Sequence, residues 1–442
     1  MGSNSKTKLT RPRTASGYRI LCERCQEGLG ETSYQTSCPR CGGALGFKYS
    51  RELKDGRLCE ASMWRYRALL PVRPDAEIVT LGEGLTPLQR SKSAAHEAIY
   101  LKNECLNPTG SHKDRSLSIG LTKAREFGFD TVMLYSDGSA ALSSAAYAAR
   151  AQCRNITVLP ADAADYRAVP LAFYNSIILK YTGPNAEALT WVNRACRTLG
   201  LFETTTYRLA NPYQAEGPKT IGLEIFEQLG RVPDWIVVPL GGGGTLTGIW
   251  RAFVDLQESG RASKLPHMVG VLAAGYTRLA LALERHVTSQ EALSQLPAPD
   301  PPLTILAKIA MTDPPDGIAA LEAIRESSGR LLFATDPEAI EAQRTLGGAE
   351  GIFAEPSASA SWVGVEKLLA GREVGKDHSV VAVITGSGFR EMQTVSGHLE
   401  HSITTVNEKS GLSTLQRILE SQDTASSRGR GPSKTSAVGT GQ

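Results

Sequence analysis

The stretch "NPTGSHKDR", Asn107 to Arg115, sets a lysine, Lys113, between a turn and the start of an apolar pattern. Leu117, Leu121, Ala124 and Phe127 follow at spacings of three and four, which predicts that Lys113 lies in the first turn of an amphipathic helix. A lysine snorkelling to solvent is the plain reading of such a residue. A desolvated amine is the chemical one: its pKa falls, so it can attack a carbonyl and carry protons.

Four consecutive glycines make a second candidate. In "WIVVPLGGGGTLTGIWRAF", Gly241 to Gly244 follow a strand pattern directly and open a helix at Thr245. Backbone without side chains can turn its amides inward and, with a helix N-terminus, hold a phosphate. A tight turn needs only one or two glycines. No Gly-Lys-Ser/Thr follows, and Leu246 stands where GxGxxG needs its third glycine, which argues against ATP and NAD. What remains is a phosphate-bearing cofactor that also uses a lysine.

Two other strand ends carry small residues. "SDGSAALSSAAYAAR", Ser136 to Arg150, enters an Ala-rich helix whose first amides suit a carboxylate or phosphate. In "VVAVITGSGFRE", Thr385 ends a strand among small residues that let a planar group approach.

The elements that position these residues follow one pattern. Thr131 to Tyr135, Ile156 to Pro160, Ile177 to Tyr181, Trp235 to Leu240, Met268 to Ala273, Leu331 to Ala334 and Val380 to Thr385 read as strands separated by helical stretches, including Ser139 to Ala151. Such alternation predicts an open-sheet α/β fold with parallel strands, whose ligands collect at the strands' carboxyl ends.

Ahead of this body stand two cysteine pairs, Cys22 and Cys25 in "CERC" and Cys38 and Cys41 in "CPRCGG". Two CxxC turns brought together offer four thiolates to a structural Zn²⁺ with no open position; two disulfides or plain buried thiols are the competing readings. Cys59, Cys105, Cys153 and Cys196 are scattered singly and read as core filling. His398 and His401 have a metal-compatible spacing but no HExxH, and read as a solvated helix face.

Composition sets the limits. A chain of 442 residues, 41% apolar and 21% charged, has room for two or three globular domains, and a net charge of +3 is too mild to imply nucleic acid or an acidic membrane as partner. No run of about 18 apolar residues is present, so no bilayer span is expected. The start, "MGSNSKTKLTRPRT", has no secretory h-region, and Lys6 stands where myristoylation needs Ser or Thr. A disordered arm over residues 1–14 and a cytoplasmic protein are expected; organellar import is the other reading of a basic segment with no acid before Glu23.

Taken together, "LGEGLTPL" (Leu81 to Leu88), "NPTGSHKDR", "SDGSAALSSAAYAAR", "NPYQAEGPKTIGLEI" (Asn211 to Ile225), "VPLGGGGTLTGIW", "EGIFAEPSASA" (Glu350 to Ala360) and "ITGSGFRE" resemble, in order, the pyridoxal-phosphate enzymes of the tryptophan synthase β-chain fold, fold type II. Within them the chain is similar to the threonine synthase-like branch. The front cysteines and "MWRYRALLPV" (Met63 to Val72) look like what precedes that domain in several threonine and cysteate synthases.

The resemblance implies two open parallel-sheet domains behind an N-terminal zinc ribbon. It divides the chain into a ribbon at 15–50, a large cofactor domain from 51–129 and 211–405 and a small inserted domain at 130–210, and the tail at 406–442, too poor in apolar residues to fold, is expected to be mostly disordered. It implies that Lys113 forms the Schiff base with pyridoxal 5'-phosphate, and that Gly241, Gly242, Gly243, Gly244 and Thr245 bind the cofactor phosphate. Thr385 would meet the pyridine nitrogen, where a neutral hydroxyl favours elimination over transamination. Ser136, Asp137, Gly138, Ser139 and Ala140 would receive the substrate carboxylate, with Ser139 also touching the cofactor's phenolic oxygen. A homodimer is common in the family.

Four positions, Asp137, Ser139, His112 and Ser387, depart from the family pattern. Ser136-Asp137-Gly138-Ser139 replaces Ser-Ser-Gly-Asn, His112 replaces phenylalanine and resembles the His-Lys pair of tryptophan synthase β-chains near the cofactor phosphate, and Ser387 replaces histidine. Asp137 would repel a substrate carboxylate by ~1 to 4 kcal/mol at contact, unless it points away or the substrate carries a compensating cation. The expected function is a β/γ-elimination or replacement on an amino acid with a leaving group, with O-phosphohomoserine to threonine as prototype. A β-replacement synthase of cysteate or diamino acid type and an ammonia-lyase are alternatives within the class. A non-catalytic zinc-ribbon protein binding nucleic acid or a partner is the alternative outside it.

Overall fold

The computed structural model describes residues 17–30, 34–49, 61–94, 96–298, 302–396, 404–408 and 412–418. The expected arm at 1–14, Cys59, His398, His401 and the tail beyond 418 lie outside the described residues. The described residues up to Thr394 form one compact unit; those from Val395 onward belong to another, in which 412–418 are helical.

The front of the first unit is an antiparallel sheet with β1 (Tyr18–Cys22) between β2 (Gly28–Leu29) and β3 (Leu45–Tyr49). Alternation in YRILC buries Tyr18, Ile20 and Cys22, and that face packs with Phe47, Trp64 and Tyr213.

Further along come β4 (Leu88–Arg90), β5 (Ile99–Asn103), β6 (Thr131–Tyr135), β7 (Arg154–Pro160), β8 (Ile177–Tyr181), β9 (Phe202–Glu203), β10 (Trp235–Pro239), β11 (His267–Ala273), β12 (Arg330–Ala334) and β13 (Val380–Ile384). The strands from β6 to β9 make a parallel sheet in the order β8-β7-β6-β9. The rest make a six-stranded sheet, β12-β11-β10-β13-β5-β4, parallel except where β4 meets β5. The α/β class expected from the alternation is the one observed. Every residue of β10 and β13 is buried, because helices cover both faces, so these strands read as unbroken apolar runs.

β5 has no such run. Its IYLKN ends in Lys102 and Asn103, yet both are buried, since Lys102 Nζ donates to Glu224 at 2.6 Å and to the Thr86 carbonyl at 2.7 Å. A paired lysine tolerates a central strand that an apolar pattern would not predict. Pairing of β5 with β13 then sets the turn that carries Lys113 beside the end of β13.

Candidate functional site

Strand ends from both parallel sheets open onto one cavity of about 400 Å³, lined among others by Lys113, Ser136, Gly241, Asp316, Glu355 and Thr385. Lys113 is the first residue of the helix Lys113–Phe127, as its pattern predicts. Its amine donates to Thr206 Oγ1 at 3.1 Å. Burial lowers the amine's pKa to about 8, against the opposing pull of the Asp316 and Glu355 carboxylates.

His112 ties three of the predicted segments together. Its Nδ1 and its backbone N–H each lie 3.0 Å from the Thr385 carbonyl, and its Nε2 lies 3.1 Å from Thr245 Oγ1. Burial, helped by the Lys113 charge, holds the imidazole's pKa down at about 3, so the ring is neutral. A carbonyl only accepts, so Nδ1–H donates to Thr385 and Nε2 accepts the Thr245 hydroxyl proton. The imidazole therefore rivets the lysine turn to the end of β13 and to the glycine loop.

That loop is a steric cradle. The helix Gly244–Glu258 begins with no side-chain cap, leaving a 15-residue helix's N-terminus directed at the cavity. Gly243 has φ +100°, and a Cβ there would lie 2.5 Å from the Asp316 carbonyl oxygen; one on Gly241 would lie 2.6 Å from the Lys308 carbonyl oxygen. Gly243→Ala is expected to cost about 1 to 3 kcal/mol in backbone strain and to weaken pyridoxal phosphate binding at least tenfold, read by absorbance titration. Wild-type affinity in that variant would show that the loop does not hold the phosphate.

At the end of β6, Ser136, Asp137, Gly138, Ser139 and Ala140 also line the cavity, and Ser139 opens the helix Ser139–Ala151, again uncapped. Asp137 is answered by the protein itself. Arg167 Nε lies 3.6 Å from its carboxylate, and Arg167 Nη1 donates to its carbonyl at 3.2 Å while Nη2 pairs with Glu391 at 3.0 Å. The compensating charge is Arg167, an answer that the sequence did not suggest. Arg167→Met is expected to raise KM for an amino acid substrate about tenfold by uncovering Asp137, with kcat moving less. Steady-state kinetics with an unchanged KM would separate this pair from substrate binding.

The neighbours of Ser139 complicate its expected part. Its hydroxyl accepts a hydrogen bond from Arg390 Nη1. Ser387 does not line the cavity; it bridges to Ala354 and accepts from the Phe389 N–H at 3.3 Å.

Several cavity groups carried no recognisable signal. Lys308 Nζ reaches Glu391 at 3.4 Å and overhangs Gly138, where a Cβ would lie 2.9 Å from it. Asp316 accepts the Arg208 N–H at 3.1 Å, and burial raises its pKa. Glu355 is buried with Oε2 unpartnered, and burial raises it too. Lys308 and Asp316 sit in a proline-rich stretch without periodicity, and Glu355, within Glu350 to Ala360, precedes a Ser/Ala-rich stretch whose pattern does not mark it out.

At the front, the Sγ atoms of Cys22, Cys25, Cys38 and Cys41 all lie within 4.8 Å of one another, with Cys22–Cys41 at 3.5 Å and Cys25–Cys38 at 3.7 Å. They are free thiols, so the two-disulfide reading is set aside. Cys153 and Cys196 are buried and Cys105 half-buried, as core filling requires.

A family model described as "Pyridoxal-phosphate dependent enzyme" matches residues 79–386, which hold the lysine turn, the glycine loop and Thr385. The chain belongs to that family. The enzyme is 33% identical to threonine synthase of Methanocaldococcus jannaschii over 90% of this chain and 98% of the relative. It is 34% identical to that of Methanosarcina acetivorans, over 86% and 93%. It is thus a threonine synthase-like, pyridoxal-phosphate-dependent enzyme of elimination or replacement.

Solved structures agree on the fold. The processed form of threonine deaminase isoform 2 from Solanum lycopersicum superposes with TM-score 0.58 at 18% identity, covering 70% of this chain and 87% of that one. O-ureido-L-serine synthase gives 0.58 at 20%, covering 74% and 96%. No helix among the described residues is long and apolar enough to cross a membrane.

Proposed function

We propose that the enzyme converts O-phosphohomoserine and water to threonine and phosphate. The observation that carries this reading is the near end-to-end match to a curated threonine synthase, 98% of whose length is covered. The cavity fits pyridoxal phosphate: it combines an amine of lowered pKa, an uncapped helix N-terminus and a glycine loop whose tight contacts exclude Cβ atoms. When bound, the cofactor supplies an electron sink for the charge that develops at the substrate's α-carbon.

The protein's residues do the rest. The amides of Gly241, Gly242, Gly243, Gly244 and Thr245 would hold the phosphate, and Thr385 would meet the ring nitrogen with its hydroxyl. Lys113, neutral in a fraction of molecules at pH 7, would capture the cofactor's carbonyl and then move the proton at the α-carbon. Neutral His112 keeps the glycine helix seated, while the loop Ser136 to Ala140, screened by Arg167, would receive the substrate carboxylate. We read residues 130–210 as a small domain whose closure would exclude water.

Zn²⁺ is assigned to Cys22, Cys25, Cys38 and Cys41. Tetrahedral Zn–S bonds place sulfurs roughly 3.8 Å apart. The 3.5 and 3.7 Å separations are close to that spacing.

Product analysis tests the reaction. Threonine and phosphate in equal amounts from O-phosphohomoserine would support it. The engagement of Ser139 by Arg390 favours a second reading, β-replacement or deamination, since the family's asparagine donor is gone. A β-substituted alanine from O-phosphoserine or 2,3-diaminopropionate, or a keto acid with ammonia, would reassign the reaction accordingly.

A further inference from the structure

We infer that the four-cysteine module sets how tightly the glycine cradle holds its phosphate, through Glu23 acting as a positioning residue. The inference rests on the proposed role of Gly241–Thr245 as the phosphate site.

Glu23 lies inside the CERC turn, between Cys22 and Cys25, and its backbone N–H donates to the Ala44 carbonyl at 3.0 Å. Its two carboxylate oxygens take different arginines: Oε1 meets Arg251 and Oε2 meets Arg208. Each arginine leads to one wall of the cradle. Arg251 belongs to the helix Gly244–Glu258, whose N-terminus is the cradle's floor. Arg208 donates its backbone N–H to Asp316 Oδ1 at 3.1 Å, and Asp316 donates its own N–H to the Gly242 carbonyl at 2.8 Å.

The two arginines depend on Glu23 unequally. Arg251 keeps a second carboxylate, Glu216, at 2.8 Å. Arg208 is 6% exposed, its Nε has no partner, and its further guanidinium contact is a 3.5 Å bond to the Leu45 carbonyl of β3. Among the described residues, Glu23 is the carboxylate that Arg208 pairs with. Without it a buried guanidinium is left to the Asp316 and Glu322 carboxylates, which already feel its charge, and the Arg208 N–H bond that seats Asp316 against the glycine loop would be disturbed.

The same module also touches the helix through Lys48, which pairs with Glu258 at 2.9 Å in an exposed bridge. That contact reaches neither Arg208 nor Asp316, so it serves as a control. Whatever holds the CERC turn in shape, which the four sulfurs are placed to do with a metal, would then hold the cradle.

The test measures pyridoxal phosphate affinity by absorbance titration, with metal content per chain, for the full-length wild type, Glu23→Gln, Lys48→Ala and Gly243→Ala. Glu23→Gln is expected to weaken binding about tenfold with metal content unchanged, and Lys48→Ala to leave it unmoved. Chelation should weaken the wild type by a similar factor and add nothing in Glu23→Gln, because both act through one carboxylate. A weakened Gly243→Ala beside an unmoved Glu23→Gln overturns the inference and spares the cradle. If neither variant moves, the cradle reading fails and takes the inference with it. If Lys48→Ala weakens binding as much as Glu23→Gln, the module acts by general docking and Glu23 has no special place.

Discussion

Lys113→Ala is expected to lower turnover by about 10³-fold or more and to remove the visible absorption band that the wild type shows with pyridoxal phosphate. The effect is large because, among the described residues, Lys113 is the cavity amine seated beside the end of β13 and the glycine helix, while Lys308 is engaged with Glu391. Lys113→Arg should fail as fully, since a guanidinium is not deprotonated in proteins. The pH dependence follows from the direction of the shift. Burial lowers the amine's pKa to about 8, so the neutral form grows as pH rises and saturates above that value. Cofactor capture by the cofactor-free protein, followed by stopped-flow absorbance, should therefore rise about tenfold per unit below pH 8 and level off beyond it. A flat profile from pH 6 to 9, or an alanine variant within tenfold of wild type, would remove Lys113 from the reaction.

The second large effect is on stability. Two residues beyond Lys113, Arg115 is fully buried and forks between two buried carboxylates, with bonds to Glu104 at 2.7 and 2.7 Å and to Glu224 at 2.6 and 2.8 Å. Lys102 adds a second cation at 2.6 Å from Glu224, so the cluster is neutral as a whole. Arg115→Met leaves two buried carboxylates with one cation, at an expected cost of about 3 to 5 kcal/mol in denaturant-measured stability. A loss under about 1 kcal/mol would show the cluster to be weakly coupled to folding.

Its pH dependence changes sign as well. In the wild type, burial alone would raise Glu104, but the Arg115 charge and hydrogen bonds pull it down to about 2. A depressed carboxyl contributes stability that is present above its unfolded pKa, near 4.5, and lost as pH falls toward 2. In Arg115→Met the strongest downward pulls on Glu104 are gone and burial opposes only the Lys102 charge and the Thr86 hydrogen bond, so the carboxyl is expected to shift upward and the variant to lose stability as pH rises above 4.5. Unfolding measured at pH 5 and pH 8 separates the two slopes. The position matters for chemistry because this cluster ties the lysine helix to the helix Lys219–Leu229 and to the turn at Glu104.

Much of the catalytic body is legible in the sequence because it is written in local patterns. β6 and β8 begin and end where their β-branched runs do, and β10 and β13 read as apolar runs since both faces are covered. Lys113 and the four glycines stand at turn-to-helix junctions, where spacing alone marks a helix start, and the CxxC pairs carry their own geometry. What the sequence by itself determined is therefore the α/β class, the placing of a lysine and of a glycine turn at helix starts, and the clustering of four thiols.

The tertiary structure decided the electrostatics. Arg167 meets Asp137 and Glu391, Lys308 overhangs Gly138, and Glu23 joins Arg208 and Arg251, all across long stretches of chain. β5 was likewise invisible, because a buried Lys102 is acceptable only once Glu224 is brought to it. Periodicity reports which side of an element is buried; it carries no record of which charge will stand opposite, and that is set only when the sheets close.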